Sequence, residues 1–308
     1  MKIGLLYSQI RPEEKFIINE LRSRAEVELV LIDDRTLEFN LSELQFEVDL
    51  VLNRSISTSR ALNAIRLFEC MGVKCVNSHH TASICADKLL TSAVLREHDI
   101  PQPEVRVAFS EEAALSAMQK MGFPVVLKPA VGSWGRLLSK INDPDAARAI
   151  LSHKRVLGTY QHSVFYLQKY VRKQGRDIRS IVVGGECIAA AYRTSEHWIT
   201  NAARGGISVK CEVTDEIREI SIRAARAVGG DIVAIDLFEM DPGYLVNEIN
   251  DTMEFKGCFA ATGINIPVHI ADFLLAHAPM STNACHAGSS VCDEATMTAG
   301  VAPNAGAS

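Results

Sequence analysis
Two rhythms divide this chain. Over residues 1–80 short apolar runs alternate with stretches of helical period, whereas from residue 164 onward strand-like runs follow one another with one helical interruption. Alternation implies strands made parallel by helical crossovers; consecutive strands pair antiparallel. The first part reads as strands at 2–7, 27–32, 48–53 and 74–77, the first two buried, with helices over 12–25 and 59–71. Phe16, Ile17, Glu20, Leu21 and Arg24 recur at the spacing of an amphipathic helix. No G-x-G-x-x-G follows the first strand, so the dinucleotide fingerprint is absent. Residues 81–99 read as one helix, with Ile84, Leu89, Leu90, Val94 and Leu95 as its apolar stripe and Pro101 and Pro103 as its stop. Strands at 105–109, 124–128 and 136–141, with helices at 111–121 and 143–153, form a second α/β piece. The strand-rich part comprises 164–171, 177–183, 186–194, 231–239 and 243–250, with helices at about 214–228 and 267–277.

The expected organisation is an N-terminal α/β domain over 1–80, a helical linker and central piece over 81–170, a mostly antiparallel sheet domain over 171–278, and a tail. The last 30 residues, 279–308, contain no Lys or Arg, and seventeen of them are Ala, Gly, Ser or Thr. Such a segment buries too little apolar surface to offset its ordering entropy, so disorder is expected there. Two thiols and one imidazole in that tail (Cys285, His286, Cys292) offer no tetrahedral metal set. A net charge of −5 speaks against generic nucleic-acid binding. Eight scattered cysteines without a C-x-x-C pair point to reduced thiols and a cytoplasmic protein. No apolar run approaches the ~20 residues that span a bilayer, and the N-terminus lacks the pattern of a signal peptide.

Three clusters carry chemistry. Asp241-Pro242-Gly243 reads as a turn between strands 231–238 and 243–250. Asp236 and Glu248 lie equally far from Pro242, so a hairpin sets the two carboxylates opposite each other, with Asn250 on the same face as Glu248. Like charges that close are unfavourable unless a cation sits between them, and this oxygen set suits Mg²⁺ completed by phosphate; solvated carboxylates on a sheet face are the alternative. Second, Lys128-Pro129-Ala130-Val131-Gly132-Ser133-Trp134-Gly135-Arg136 follows an apolar strand. Its glycines let backbone N–H groups approach phosphates, although no G-K-[ST] ends it. Third, Arg176, Arg179, Arg193 and Arg204 sit beside glycines and strand ends, a pattern suited to anion recognition.

In order along the chain, Asp87-Lys88, Lys128-Pro129, the Gly-rich loop, the Leu167-Gln168-Lys169-Tyr170-Val171 strand and Asp236…Glu248-x-Asn250 resemble the ATP-grasp carboxylate–amine ligases. The G-x-D-I-R element at 175–179 is similar to the ribosomal-protein glutamate-ligase-like branch. The stretches 128–136, 197–206 and 246–256 resemble the LysX-type ligases, over residues 1–277. The resemblance implies an ATP-grasp fold, mixed α/β and α+β: an N-terminal parallel α/β domain, a small central domain and a C-terminal mostly antiparallel sheet domain. It implies ATP and two Mg²⁺ ions, and a reaction through an acyl phosphate. In that reaction α-aminoadipate is joined to the C-terminal glutamate of a small acidic amino-group carrier protein in lysine biosynthesis. Related ligases use glutamate in arginine biosynthesis, or add glutamate to a ribosomal protein, and a homo-oligomer is expected. Lys88, Lys128, Gly132, Ser133, Gly135, Arg136 and Arg176 would contact ATP phosphates, and Gln168, Lys169, Tyr170 and Val171 would hold adenine. Asp236, Glu248 and Asn250 would hold the metal; Arg179, Arg193, Asn201 and Arg204 would face the reacting carboxylate. The amino acid would sit near 197–206 and 250–255, with Asp251 and Glu254 as candidate bases. Basic residues Lys154, Arg155, Lys169, Arg172 and Lys173 would attract an acidic carrier.

Overall fold
A computed structural model describes residues 1–43, 45–132, 137–157, 163–200 and 207–277; the tail 279–308 lies outside the described residues. Three sheets organise them. The first holds β1 (Lys2–Tyr7), β2 (Glu28–Asp33), β3 (Leu50–Arg54) and β4 (Lys74–Val76), all parallel in the order β2-β1-β3-β4. Helices α1 (Pro12–Ser23) and α2 (Thr58–Cys70) make the crossovers. Alternate residues serve opposite faces, as the strand period requires: Ile3 and Leu5 join one core with Ile17 and Leu21, while Leu6 and Val51 join another with Ile65 and Phe68. β2, expected to be buried, is instead an edge strand with Leu31 37% exposed.

The expected single helix at 81–99 is two: α3 (His79–Ala86) and α4 (Lys88–Glu97). Asp87 between them is extended (φ −118°, ψ 113°), and its carboxylate caps α4 by accepting from the Leu89 N–H at 2.8 Å. Asp87 also bridges to Val131, and the Lys88 N–H donates to the Ala130 carbonyl at 2.9 Å. Pairing with a distant loop therefore overrides the continuous apolar stripe, and it carries Lys88 to the loop.

The second sheet, antiparallel in the order β5-β8-β6-β7, contains β5 (Val105–Ala108), β6 (Val125–Lys128), β7 (Ser139–Ile141) and β8 (Phe165–Lys169). With α5 (Glu111–Met121) and α6 (Pro144–Leu157) it closes a core of its own around Met118, Leu127, Leu151 and Leu167. The third sheet is antiparallel, in the order β11-β10-β9-β12-β13. Its strands are β9 (Arg176–Val183), β10 (Glu186–Thr194), β11 (Ile207–Cys211), β12 (Ile232–Glu239) and β13 (Tyr244–Asn250). β11 goes beyond the sequence expectation, as does a short helix α8 (Lys256–Thr262); α7 (Asp215–Ala227) and α9 (Ile266–His277) match it. Gly184 and Gly185, at φ +60° and +80°, turn β9 into β10 in the left-handed conformation a two-residue hairpin needs. No single helix among the described residues is long and apolar enough to cross a membrane.

Candidate active site
The hairpin β12–β13 pairs Asp236 with Glu248 and Ala234 with Asn250, as the spacing predicts. The route differs from a plain hairpin. Leu237 faces Val246, so an unbroken ladder would set Asp236 opposite Asn247; the register shifts by one between Asp236 and Leu237 and delivers Glu248 instead. Such a bulge re-aims the residue it leaves over. Here that residue is Asn247, whose Oδ1 accepts from Lys128 Nζ at 3.0 Å and from Gln168 Nε2 at 3.3 Å. The bulge thus ties the third sheet to the second.

Asp236 is 2% exposed. Arg179 donates to both its oxygens, Nε to Oδ1 at 2.9 Å and Nη2 to Oδ2 at 3.0 Å, and Arg193 Nη2 reaches Oδ2 at 3.0 Å. Burial opposes the charge, but the two guanidiniums outweigh it and hold the carboxyl at about 2. The cationic neighbours expected of this carboxylate pair are therefore partly arginines of the chain itself. Three of roughly four lone-pair positions on Asp236 are used, which leaves room for one more cationic contact. Arg193 is anchored on its other side by Asp177, Nε to Oδ1 at 2.7 Å, and Asp177 also accepts from Thr200 Oγ1 and, at 3.3 Å, from Lys173 Nζ. Burial lowers the Arg193 pKa, but Asp236 and Asp177 more than restore it.

Two cavities meet at this hairpin. One, of about 70 Å³, lies between the second and third sheets, with Val126, Leu138, Ile199 and Phe238 among its apolar walls. Lys88, Lys128 and residues 168–171 line it too. Burial pushes the Lys128 ammonium down to about 8, against the attraction of Glu248. Lys88 Nζ stands 3.6 Å from Glu248 Oε1 and donates to the Gly132 carbonyl. The other cavity, of about 130 Å³, runs from Asp236, Glu248 and Asn250 to the ends of β1 and β3. Gly132 and Glu248 line both. Asp251, in the larger cavity, is raised by burial to about 6.

Asp236, Glu248 and Asn250 converge as expected. Asn250 Nδ2 is buried without a hydrogen-bond partner, an orphan that a ligand in the cavity would satisfy. Among the described residues no group of three or more His, Cys, Asp or Glu side chains is placed to hold a metal. Two carboxylates and an amide fit Mg²⁺, which commonly takes its remaining oxygens from phosphates and water. Arg176 is not brought to either cavity: it grips Glu239 with two bonds, at 2.6 and 3.0 Å, and lies 4.0 Å over the Tyr192 ring. That removes the geometric basis for its expected phosphate contact. Lys169 lines the smaller cavity, but its ammonium donates to the last carbonyls near α5, Met121 and Gly122. Of the expected basic patch, Lys169 and Lys173 are thus engaged internally, and Arg155 pairs with Glu111 at 3.4 Å. Ser133, Gly135, Arg136, Asn201 and Arg204 lie outside the described residues. Sequence reasoning missed Asn247 and Asp177, gave Lys173 only a place in a carrier-facing patch, and missed Arg11, Asn53 and Ser55 in and beside the first sheet. Asp177 was legible within the Gly175–Arg179 element; Asn247 was hidden by the bulge.

Comparison with known proteins decides the family. Residues 85–274 match the RimK-like ATP-grasp domain, and residues 3–84 match the LysX preATP-grasp domain. The chain belongs to the RimK-like ATP-grasp family. It is an ATP-dependent carboxylate–amine ligase, and such ligases typically use Mg²⁺. The glutamate–LysW ligase ArgX of Sulfurisphaera tokodaii is 34% identical over 278 residues, 89% of this chain and 98% of that protein. The alpha-aminoadipate–LysW ligase LysX of Saccharolobus solfataricus is 34% identical over 259 residues, 83% of this chain and 94% of that protein. A RimK-domain ATP-grasp protein of Sphaerobacter thermophilus superposes with a TM-score of 0.76 at 25% identity, covering 89% of this chain and 99% of that one.

Proposed function
We propose that this ATP-grasp ligase joins the amino group of α-aminoadipate to the C-terminal glutamate side-chain carboxylate of a small acidic amino-group carrier protein. The observation that carries the reading is the junction at Glu248. There an apolar-walled slot lined by Lys88 and Lys128 among other lysines meets a larger cavity whose carboxylates and arginines are already arranged around one hairpin. Lys88 and Lys128 bind the nucleotide phosphates, while residues 168–171 and Phe238 hold the adenine. Asp236, Glu248 and Asn250 would hold the Mg²⁺, two ions in this reading, which would neutralise phosphate charge. Arg179 and Arg193 orient the carrier carboxylate and stabilise charge as it becomes an acyl phosphate. The amine of the amino acid then displaces phosphate to form the amide. The Gly-rich stretch 128–136 would exclude water from that reactive mixed anhydride.

A second reading has its own support: the glutamate-specific relative is as similar, over a longer stretch, as the aminoadipate-specific one. The deciding experiment measures ADP release with purified carrier and each acid in turn. We expect turnover with both and a higher kcat/KM for α-aminoadipate; a clear preference for glutamate replaces the first reading by the second.

A further inference from the structure
The larger cavity has an end that the reaction above leaves unexplained. Its far wall is built by the first sheet and a crossover helix: Asn53 and Ser55 at and just after β3, then Thr58, Ala61 and Leu62 in the opening turns of α2. In the order β2-β1-β3-β4 the chain reverses direction between β1 and β3. Open parallel sheets receive ligands at such a reversal, beyond the carboxyl ends of the strands.

Several polar groups at this end are already engaged. Arg11 Nε and Nη2 donate to Glu14 at 2.9 and 2.8 Å, and its Nη1 donates to Glu254 Oε1 at 3.3 Å. Glu14 also accepts from Arg54, whose Nη2 reaches the Met253 carbonyl at 3.0 Å, so this ladder joins the first and third sheets. Ser55 Oγ donates to the buried carboxylate of Asp34, which Ser8 Oγ and, at 2.9 Å, Arg60 Nε also hold.

Two sets of donors remain. Asn53 is 2% exposed and lines the cavity. Its Oδ1 accepts from the Ser55 N–H at 3.1 Å, which fixes the orientation of the amide. That leaves Nδ2, without a partner among the described residues, to the cavity. The second set is the N-terminus of α2. The Ala61 N–H makes the first helical bond, to the Ser57 carbonyl at 2.8 Å, so the N–H groups of Thr58, Ser59 and Arg60 precede the hydrogen-bonded turns. Neither a capping bond from the Ser57 side chain nor an acidic residue in the first turn answers them. Such a helix start favours an anion, and the buried Nδ2 in the same wall requires an acceptor.

We propose that Asn53 Nδ2 and the N-terminus of α2 bind the side-chain carboxylate of the amino-acid substrate, so that this wall selects amine donors with two carboxylates. This inference rests on the proposed carrier-ligase reading. The α-carboxylate is one carbon from the reacting amine and stays with it at the Asp236 end of the cavity. Only the side-chain carboxylate extends far enough to meet the opposite wall. A carboxylate of the carrier enters with a chain that must lead back to solvent, whereas Asn53 lies on the buried floor.

The test measures kcat/KM for α-aminoadipate and for 2-aminohexanoate, which has the same chain length and lacks the distal carboxylate, on wild type, Asn53→Asp and Thr58→Pro. If the wild type prefers glutamate, glutamate and 2-aminopentanoate form the pair. Asn53→Asp keeps an oxygen for the Ser55 N–H and replaces the free donor by a like charge. Thr58→Pro removes one N–H at the first helical position, where proline is tolerated, and Ser57 before it is already extended (φ −90°, ψ 100°). Urea unfolding reports the stability of both variants. We expect Asn53→Asp to lower the preference for the dicarboxylic acid about 100-fold through its KM, and Thr58→Pro about fivefold, while the KM values for ATP and carrier stay within about threefold. Where turnover of the analogue is too slow to read, its inhibition constant replaces it. An equal loss on both acids overturns the assignment in favour of a structural role, and a rise confined to the carrier KM overturns it in favour of the carrier's own carboxylate. A change in Asn53→Asp alone removes the helix from the site. A wild type that ligates neither α-aminoadipate nor glutamate sinks the carrier-ligase reading itself. A working wild type whose preference survives in Asn53→Asp sinks only the carboxylate site.

Discussion
Asp236 and Glu248 face each other, yet they are not equivalent. Asp236 is buried between two arginines, whereas the Glu248 side chain is 25% exposed and meets Lys88 at 3.6 Å. Asp236→Asn leaves the buried Arg193 and the part-buried Arg179 guanidiniums against a neutral amide, so it should cost about 3–5 kcal/mol in urea unfolding as well as ligation. Glu248→Gln should abolish ligation with a stability change within about 1 kcal/mol. Near-wild-type ADP release by either variant at saturating Mg²⁺ counts against the metal assignment. Lys128 carries a separate signature. Burial lowers its pKa from 10.5 to about 8, so the stability it contributes is present above 10.5 and is lost as pH falls through 8. The proton that phosphate needs leaves over the same interval, so kcat/KM for ATP should fall as pH rises through about 8. A profile flat to pH 9.5 would show that Lys128 stays charged or takes no part.

At the level of elements, the hairpin β12–β13 was legible because Asp241-Pro242-Gly243 marks a turn and two carboxylates flank it symmetrically. The bulge was not, because a one-residue register shift leaves no local trace in composition. The break at Asp87 was masked by an apolar stripe that continues on both sides, since the partner that imposes it lies 43 and 44 residues away at Ala130 and Val131. Arg11 was invisible for the same kind of reason: its ladder to Arg54 and Met253 exists only once the first and third sheets meet. Asn77, at the end of β4, is a pin of that meeting. Its Nδ2 donates to the carbonyls of Ile232 (2.7 Å) and Asp251 (3.1 Å), and its Oδ1 accepts from the N–H groups of Asp231 (2.9 Å) and Ile232 (3.0 Å). Every hydrogen-bonding position of the amide is thus engaged. Asn77→Ala should cost about 2–4 kcal/mol in urea unfolding and raise the KM for the amino acid. A loss under about 1 kcal/mol would mean that the two sheets are held by their shared core alone.

Across the whole molecule, the cores show which parts are joined. Ile3 and Leu5 of the first sheet share one core with Ile181, Ala234, Phe255 and Ile270, so the first and third sheets behave as one unit. The second sheet with α5 and α6 keeps its own core and faces the others across the smaller cavity. A nucleotide bound there touches both units and binds the unfolded chain not at all. At a hundredfold excess over Kd it adds about 2.7 kcal/mol, which for a chain of this size is roughly 4 °C in Tm. We therefore expect a non-hydrolysable ATP analogue with Mg²⁺ to raise Tm by that amount, EDTA to remove most of the rise, and Glu248→Gln to blunt it. Amide exchange should slow most in β6, β8 and β13, which flank the cavity, and least in β2 at the outer edge of the first sheet. Deleting residues 279–308 should leave the shift and the turnover unchanged, because the family match ends at residue 274 and, among the described residues, neither cavity is lined by anything beyond 254. A rise that survives EDTA undiminished would place nucleotide affinity in the lysines and the apolar walls, with the Asp236–Glu248 hairpin serving only the later chemical step.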